Sequence, residues 1–304
     1  MGFAEFMEQA LYDPVHGFYE LGQAGRREGH FITSPEVGPL FGAVVGRMLD
    51  RRWEELDQPD PFVVIDAGAG PGTLARTVAK ADPLCTSAMR WINVERSAAG
   101  RSAHTVGEST AVMPDGPIVG VIVANELLDN LPLRLFDSGG DEVGEHRPSP
   151  ETRLTPRQDQ ACAWLAQALS ILSQGTVVVI DYMSTTKDMA SRPWPEWLRT
   201  YRGHERGDDP WTAPGTQDIT CEVALDQLSA VCPPDRVVDQ AAWLREHSIE
   251  ELVVEGNAAW QAGAAQGGLA ALAGRSRAIE AEALLDPAGL GGFTVAEWNV
   301  PGPE

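Results

Sequence analysis

The chain has 304 residues, enough to bury a sizeable core in one large domain or two small ones. Its composition, 43% hydrophobic and 22% charged, argues against disorder of the whole chain. A net charge of −21 argues against a nucleic-acid backbone or an anionic membrane as the main partner. In chain order, residues 3–12 (FAEFMEQALY) place Phe3, Phe6, Met7, Ala10 and Leu11 on one helical face. After a turn at DPVHGFY, the Ser34-Pro35-Glu36 step predicts a helix start. Ser34 would be its cap and Pro35 its first helical residue, and the helix would run on through LFGAVVGRMLDRRWEEL.

Four short apolar runs then predict buried parallel strands: 62–66 (FVVID), 90–95 (RWINVE), 118–125 (IVGVIVAN) and 176–182 (TVVVIDY). Helical stretches such as LARTVAKA and ACAWLAQALSIL separate several of them, so the expected fold is a doubly wound α/β sheet. The runs end in Asp66, Glu95, Asn125 and Asp181. Ligands of open α/β sheets sit at the carboxyl ends of strands, so four polar residues there point to one site. Residues 185–290 read as a mostly helical cap inserted over that site, too long for a simple connection. Trp194, Trp197, Trp211 and Trp243 within it are expected in the core, and GGFTVAEWNV as a last strand. The boundaries that follow are an N-terminal helical segment at 1–55, a Rossmann-like core at 56–184, the cap at 185–290 and a returning strand at 291–304.

Cys85, Cys162, Cys221 and Cys232 form no CxxC and no metal-ligand spacing with histidine, which suits a reduced compartment and no metal. With no basic-then-apolar leader and no apolar run near the ~18 residues of a membrane span, a cytoplasmic protein is expected.

The stretch VVIDAGAGPGTL (63–74) carries the cofactor question. A triphosphate loop fails, because no Gly-Lys-Ser/Thr follows. The dinucleotide fingerprint counted from Gly68 would need its third glycine at Thr73, and Pro71 removes a donor that a pyrophosphate would use. What remains, an acid followed by Gly68, Gly70 and Gly72, is the pattern of class I methyltransferases that use S-adenosyl-L-methionine. Asp66 is placed to receive the ammonium of its methionine part, and the glycines permit close backbone approach. Glu95 is an acceptor suited to both ribose hydroxyls. Asn125, Glu126 and Asp129 follow the third strand. If that segment is helical, the two acids three apart share a face and suit a guanidinium or amine.

Several segments in order resemble the MidA-like family of methyltransferases, related to a mitochondrial complex I assembly factor. They are FMEQALYDPVHGFY, GHFITSPEVGPLFG, DAGAGPGTL, VANELLDNLP, VVIDYM and TYRGHERGDDPWTAPGTQDIT, spanning about residues 3 to 222. The resemblance implies a class I fold with an extra helical domain and S-adenosyl-L-methionine as cofactor. It also implies methylation of a protein arginine, by analogy in a respiratory NADH dehydrogenase subunit. Alternatives are a small-molecule acceptor, or a binding protein that keeps the fold without turnover. The resemblance marks Gly68, Gly70, Gly72, Glu95, Asn125, Glu126 and Asp129 as site residues, with Thr33, Ser34, Pro35 and Glu36 closing over the cofactor. Asp181 stands in reserve as a further carboxylate. The chain departs from the family at Ala69, Pro71 and Asn130, and at His30, where the family has aspartate.

Overall fold

A computed structural model describes residues 1–21, 33–144, 147–202, 205–207, 209–263 and 269–303; the expectation for His30 lies outside the described residues. The chain opens with α1 (Phe3–Tyr12), α2 (Ser34–Val37) and α3 (Pro39–Glu55). Next come β1 (Phe62–Ala67), α4 (Thr73–Ala81), β2 (Met89–Val94), α5 (Ala98–Ser102), β3 (Glu108–Thr110) and β4 (Ile118–Asn125). A hairpin of β5 (Arg134–Phe136) and β6 (Thr155–Arg157) leads into α6 (Asp159–Ile171) and β7 (Leu172–Asp181). Beyond it lie β8 (Met183–Ser184), α7 (Thr186–Ser191), β9 (Leu198–Arg202), β10 (Glu205–Arg206), β11 (Asp218–Cys221), β12 (Val223–Ala224) and α8 (Leu225–Val231). The last elements are β13 (Arg236–Asp239), α9 (Gln240–Glu246), α10 (Ile249–Gly263), α11 (Leu269–Leu285) and β14 (Thr294–Val300).

Seven strands form the central sheet in the order β13-β14-β7-β4-β1-β2-β3. The five from β3 to β7 are mutually parallel, and β14 runs antiparallel to both β7 and β13. This is the doubly wound α/β sheet that the apolar runs predict. The strands read as unbroken apolar runs because both faces are covered. Phe62, Val64, Val121, Val123, Val178 and Ile180 pack on one side against α3, α4 and the C-terminal helices. Val63, Ile65, Ile122, Ala124, Val177 and Val179 pack on the other side, with α6 and α8. Each fully buried Val, Ile or Leu contributes about 1.5–3 kcal/mol. The chain leaves β1 toward β2 on one side and β4 toward β7 on the other. The crevice at the carboxyl ends of β1 and β4 is therefore the topological switch point where such sheets take ligands.

The N-terminal helix differs from expectation. Thr33, not Ser34, is the residue before α2, and Ser34 is its first helical residue with Pro35 second. The expected single helix breaks at Gly38, because Pro39 has no amide hydrogen and disfavours helical backbone in the residue before it. Glu280 of α11 fills the break: its Oε2 accepts the amide of Leu40 at 2.8 Å, and its Oε1 accepts Ser276 Oγ at 2.6 Å. A Cβ on residue 38 would stand 2.3 Å from the Glu280 carboxyl carbon, so glycine is the residue that lets α11 dock there.

Residues 185–290, expected as one cap, divide in the structure. The small sheet β10-β9-β11 joins α1 and the hairpin around a separate core containing Phe3, Met7, Leu135, Trp194, Trp197 and Ile219. By contrast, β13 enters the central sheet beside β14, and Trp243, Leu244, Ile249 and Leu252 belong to the core under α3. Trp211 is half-buried against Trp194 and Phe3.

Candidate functional site

The loop from β1 to α4 turns three times through left-handed backbone: φ is +76° at Gly68, +50° at Gly70 and +73° at Gly72. Side chains rarely adopt such values, which explains the glycines before any ligand is considered. The amides of Gly68 and Ala69 donate to Val94 O at 2.9 and 3.1 Å, which ties the loop to the end of β2. Space differs among the three positions. A Cβ on Gly68 would come within 2.9 Å of Leu127 Cδ1, whereas one on Gly70 would meet nothing within 4 Å.

Glu95 closes the loop from the other side. Its Oε2 accepts the Gly70 amide at 2.9 Å and its Oε1 the Ser97 amide at 2.7 Å. Each carboxylate oxygen has two lone pairs, so acceptor capacity remains after these bonds. Burial raises its pKa, and the two amides and Arg101 oppose that rise.

Three further residues around the loop are not legible from spacing. Gly100 brings α5 so close that a Cβ there would lie 2.8 Å from Glu95 Cγ. Ser97 caps α5 by accepting Gly100 N at 3.2 Å, and it donates to Tyr19 O at 3.0 Å. His104 Nε2 lies 2.8 Å from Gly70 O and its Nδ1 2.8 Å from Ser109 Oγ. The carbonyl partner makes Nε2 a donor to Gly70 O, so His104 ties α5's far end to the glycine loop.

Asp66 sits at the carboxyl end of β1 with 3% of its surface exposed. Burial first, and the Glu95 charge second, push its pKa up to about 7. Its Oδ2 is buried without a hydrogen-bond partner among the described residues. Leaving such an acceptor unpaired costs ~1–3 kcal/mol, so the arrangement suits a donor beyond the described residues, such as a ligand.

At the end of β4 the structure corrects one expectation. Glu126 and Asp129 are not paired along a helix face: Glu126 takes φ +52° at the strand exit, and Leu128–Asn130 form a 3-10 turn. Asp181 shapes that turn. Its Oδ2 accepts the amides of Leu128 (3.1 Å) and Asp129 (3.3 Å), and its Oδ1 accepts its own neighbour Tyr182 N at 2.9 Å. The loop still brings the acids together by another route. Glu126 Oε1 accepts Asn125 Nδ2 at 3.1 Å and the Ser34 amide at 3.4 Å, so α2 covers this end of the sheet. Thr33 O accepts the amides of Glu36 and Val37, Pro35 is buried, and burial raises the Glu36 carboxyl. Asp129 is 2% exposed; Tyr182 Oη donates to its Oδ2, while Oδ1 has no partner among the described residues. Asn125 Oδ1 is likewise buried and unpaired among them.

Burial, with Asp129 next, pushes Glu126 up to about 8. Asp129 rises to about 7, again mainly by burial, with the Tyr182 hydroxyl opposing. Asp181 is raised too, by burial and by Asp129 and Glu126, against the amides it accepts. The ion pairs of the described residues lie elsewhere, for example Arg192 and Arg199 on Glu222 and Arg236 on Glu297. The site is thus a buried group of carboxylates with no resident cation among the described residues, and it suits a positively charged ligand.

Comparison with known proteins gives the family and the fold. A family model described as S-adenosyl-L-methionine-dependent methyltransferase matches residues 44–149 and 148–236. The mitochondrial protein arginine methyltransferase NDUFAF7 of Danio rerio is 31% identical over 289 residues, covering 74% of this chain and 67% of the relative. Its homolog in Drosophila melanogaster is 44% identical over 77 residues, which are 25% of this chain and only 18% of the fly protein. A crystal structure from Burkholderia thailandensis, bound to S-adenosyl-homocysteine, superposes with a TM-score of 0.76 at 23% identity. It covers 98% of this chain and 87% of its own, a likeness of fold.

Proposed function

We propose a protein arginine as the methyl acceptor of this chain, which belongs to the family of S-adenosyl-L-methionine-dependent methyltransferases. The described residues fit that cofactor. Asp66 offers a buried, unpartnered oxygen for an ammonium, and the open space beside Gly70 admits a ligand against the backbone. Gly68, Gly70, Gly72 and Glu95 would hold it from the sheet side, and Thr33, Ser34, Pro35 and Glu36 would cover it. When bound, the cofactor supplies an electrophilic methyl group on a sulfonium.

The observation that carries the acceptor class is the pair Glu126 and Asp129, the first half-buried and the second buried, both lacking a cationic partner among the described residues. An arginine side chain has a pKa above ~12, and its cation is a poor nucleophile. A carboxylate that accepts two of its N–H groups fixes the plane of the guanidinium and concentrates reactivity on the remaining nitrogen. Arrival of that cation draws Glu126 and Asp129 back to their ionised forms, since an opposite charge at close range favours them. Glu126 then accepts, at its carboxylate oxygen, the proton that the methylated nitrogen sheds. Asn125 and the Ser34 amide hold Glu126 in place by the bonds described above. The names of the relatives support arginine over other cations.

The test is methyl transfer from tritiated S-adenosyl-L-methionine into a cell lysate, followed by hydrolysis and amino-acid analysis. Label in methylarginine, abolished by Glu126→Gln with cofactor affinity unchanged, is the expected result. Label confined to small metabolites, or turnover by the Gln variant within a few fold of normal, would sink the assignment.

A further inference from the structure

The acceptor side of the site contains a carboxylate from a distant part of the chain. Asp218, at the start of β11, is bonded through one oxygen only. Its Oδ1 accepts Tyr19 Oη at 3.0 Å, Asn130 Nδ2 at 3.1 Å and the Ile219 amide at 2.9 Å. Its Oδ2 receives no hydrogen bond from the described residues. Asn130 directly follows Asp129 in the 3-10 turn and binds Asp218, so the two acids are fastened to the same three residues of loop. They are within electrostatic reach, because the charge of Asp218 helps to raise Asp129. The independent sign of a ligand is Asp129 Oδ1, a carboxylate oxygen buried without a partner among the described residues.

The N-terminal segment buttresses this pair. Tyr12 and Tyr19 stack with ring centroids 5.5 Å apart and an interplanar angle of 17°. Their hydroxyls end on Asn130 O (3.1 Å) and on Asp218. Burial keeps both tyrosines neutral donors by raising them well above the ordinary phenol value. Tyr19, Asn130 and the Ile219 amide thus fix one oxygen of Asp218, with Tyr12 holding Asn130, and leave the other oxygen for a ligand.

We propose that Asp218 is the second binding carboxylate for the acceptor's positive charge, holding with Asp129 a guanidinium that Asp129 alone would leave half-satisfied. A guanidinium presents five N–H donors in a fixed fork, more than one carboxylate can accept. The clamp joins the loop after β4 to β11, so specificity for the acceptor is set partly by the segment beyond the central sheet. This rests on the arginine reading above.

The substitution Asp218→Asn separates the roles. Its amide oxygen occupies the Oδ1 position and keeps bonds to Tyr19, Asn130 and Ile219, while its NH2 replaces the free oxygen. Acetyl-arginine methylamide and its neutral isostere acetyl-citrulline methylamide are titrated calorimetrically into the whole chain saturated with S-adenosyl-homocysteine. The wild type is expected to prefer the arginine compound at least tenfold, and Asp218→Asn to remove that preference while binding S-adenosyl-homocysteine normally. Tyr19→Phe removes one donor to Oδ1 and keeps the charge; it should reduce the preference several-fold, and it serves as the readout if Asp218→Asn does not fold. An undiminished preference in the variants overturns the role of Asp218 and leaves the arginine reading standing. A wild type that does not prefer arginine over citrulline overturns both.

Discussion

Glu126 concentrates two costs in one residue. Its left-handed backbone, φ +52°, is a conformation that a side chain with a Cβ adopts at roughly 1–2 kcal/mol. Its carboxyl is buried next to another acid and rises to about 8. Costs of this kind persist where the surroundings over-determine them, and they cluster at functional sites. The sign of the pH effect follows. The folded-state value lies above the ~4.3 of an unfolded glutamate, so the folded chain binds the extra proton between those values and loses stability as pH rises through them. Glu126→Gln removes that loss. Thermal melts should show the variant close to wild type near pH 4 and increasingly more stable than it up to about pH 8.5, where the wild-type group is ionised. Equal melting points at both pH values would mean that the carboxylate is not buried as described. The variant expected to lose methyl transfer is thus the one expected to gain stability, the usual trade at a working site.

At the scale of elements, the glycine loop separates two reasons for having no side chain. Gly68 and Gly70 share positive φ, so alanine costs about 1–2 kcal/mol at either. At Gly68 the new methyl also meets Leu127 Cδ1 at 2.9 Å, a clash with the loop that carries Glu126; at Gly70 it points into open space. Gly70→Ala should therefore melt within several degrees of wild type yet bind S-adenosyl-L-methionine at least tenfold more weakly. Gly68→Ala should lose stability as well as binding. Calorimetric titration beside thermal melts distinguishes them, and normal binding by Gly70→Ala would remove the loop from the cofactor site. The contrast also marks what the sequence could reveal. The strands were legible because burial on both faces leaves an unbroken apolar run, and the loop because glycine at alternate positions has few other uses. The spacing of Glu126 and Asp129 suggests a helical face, whereas Asp181 folds a 3-10 turn there. Asp218, His104 and Gly100 are not legible in the sequence, since no local spacing announces contacts with Asn130 or Gly70 made across 30 to 88 residues. Pro39 signals the break at Gly38, but an apolar pattern that continues across it hides that signal.

On the scale of the whole molecule, the question is what holds the last seventy residues to the sheet that carries the site. Apolar packing under α3 supplies area, and one buried acid supplies geometry. Glu297, in the middle of β14, is 1% exposed. It faces Arg236 across the β13–β14 ladder, with Nη1 to Oε2 at 3.3 Å. It also receives Trp243 Nε1 from α9 at 3.0 Å and Arg52 Nη2 from α3 at 3.5 Å. Four elements from both halves of the chain therefore converge on one carboxylate, and the strand that returns to β7 is the one that carries it. Removing one partner of a buried ionic group is costly, about 3–5 kcal/mol, because the remaining charges are left buried and uncompensated. Glu297→Ala is expected to lose about 3 kcal/mol or more in urea unfolding followed by fluorescence. Glu297→Gln should fall between it and wild type, because its oxygen still accepts Trp243 while the charge facing two arginines is gone. Glu297 pairs with Val178, three residues back from the Asp181 end of β7. S-adenosyl-L-methionine affinity, measured where each variant is folded, should thus stay within about twofold. A large loss of affinity with little loss of stability would place Glu297 in the site and not in the frame that supports it.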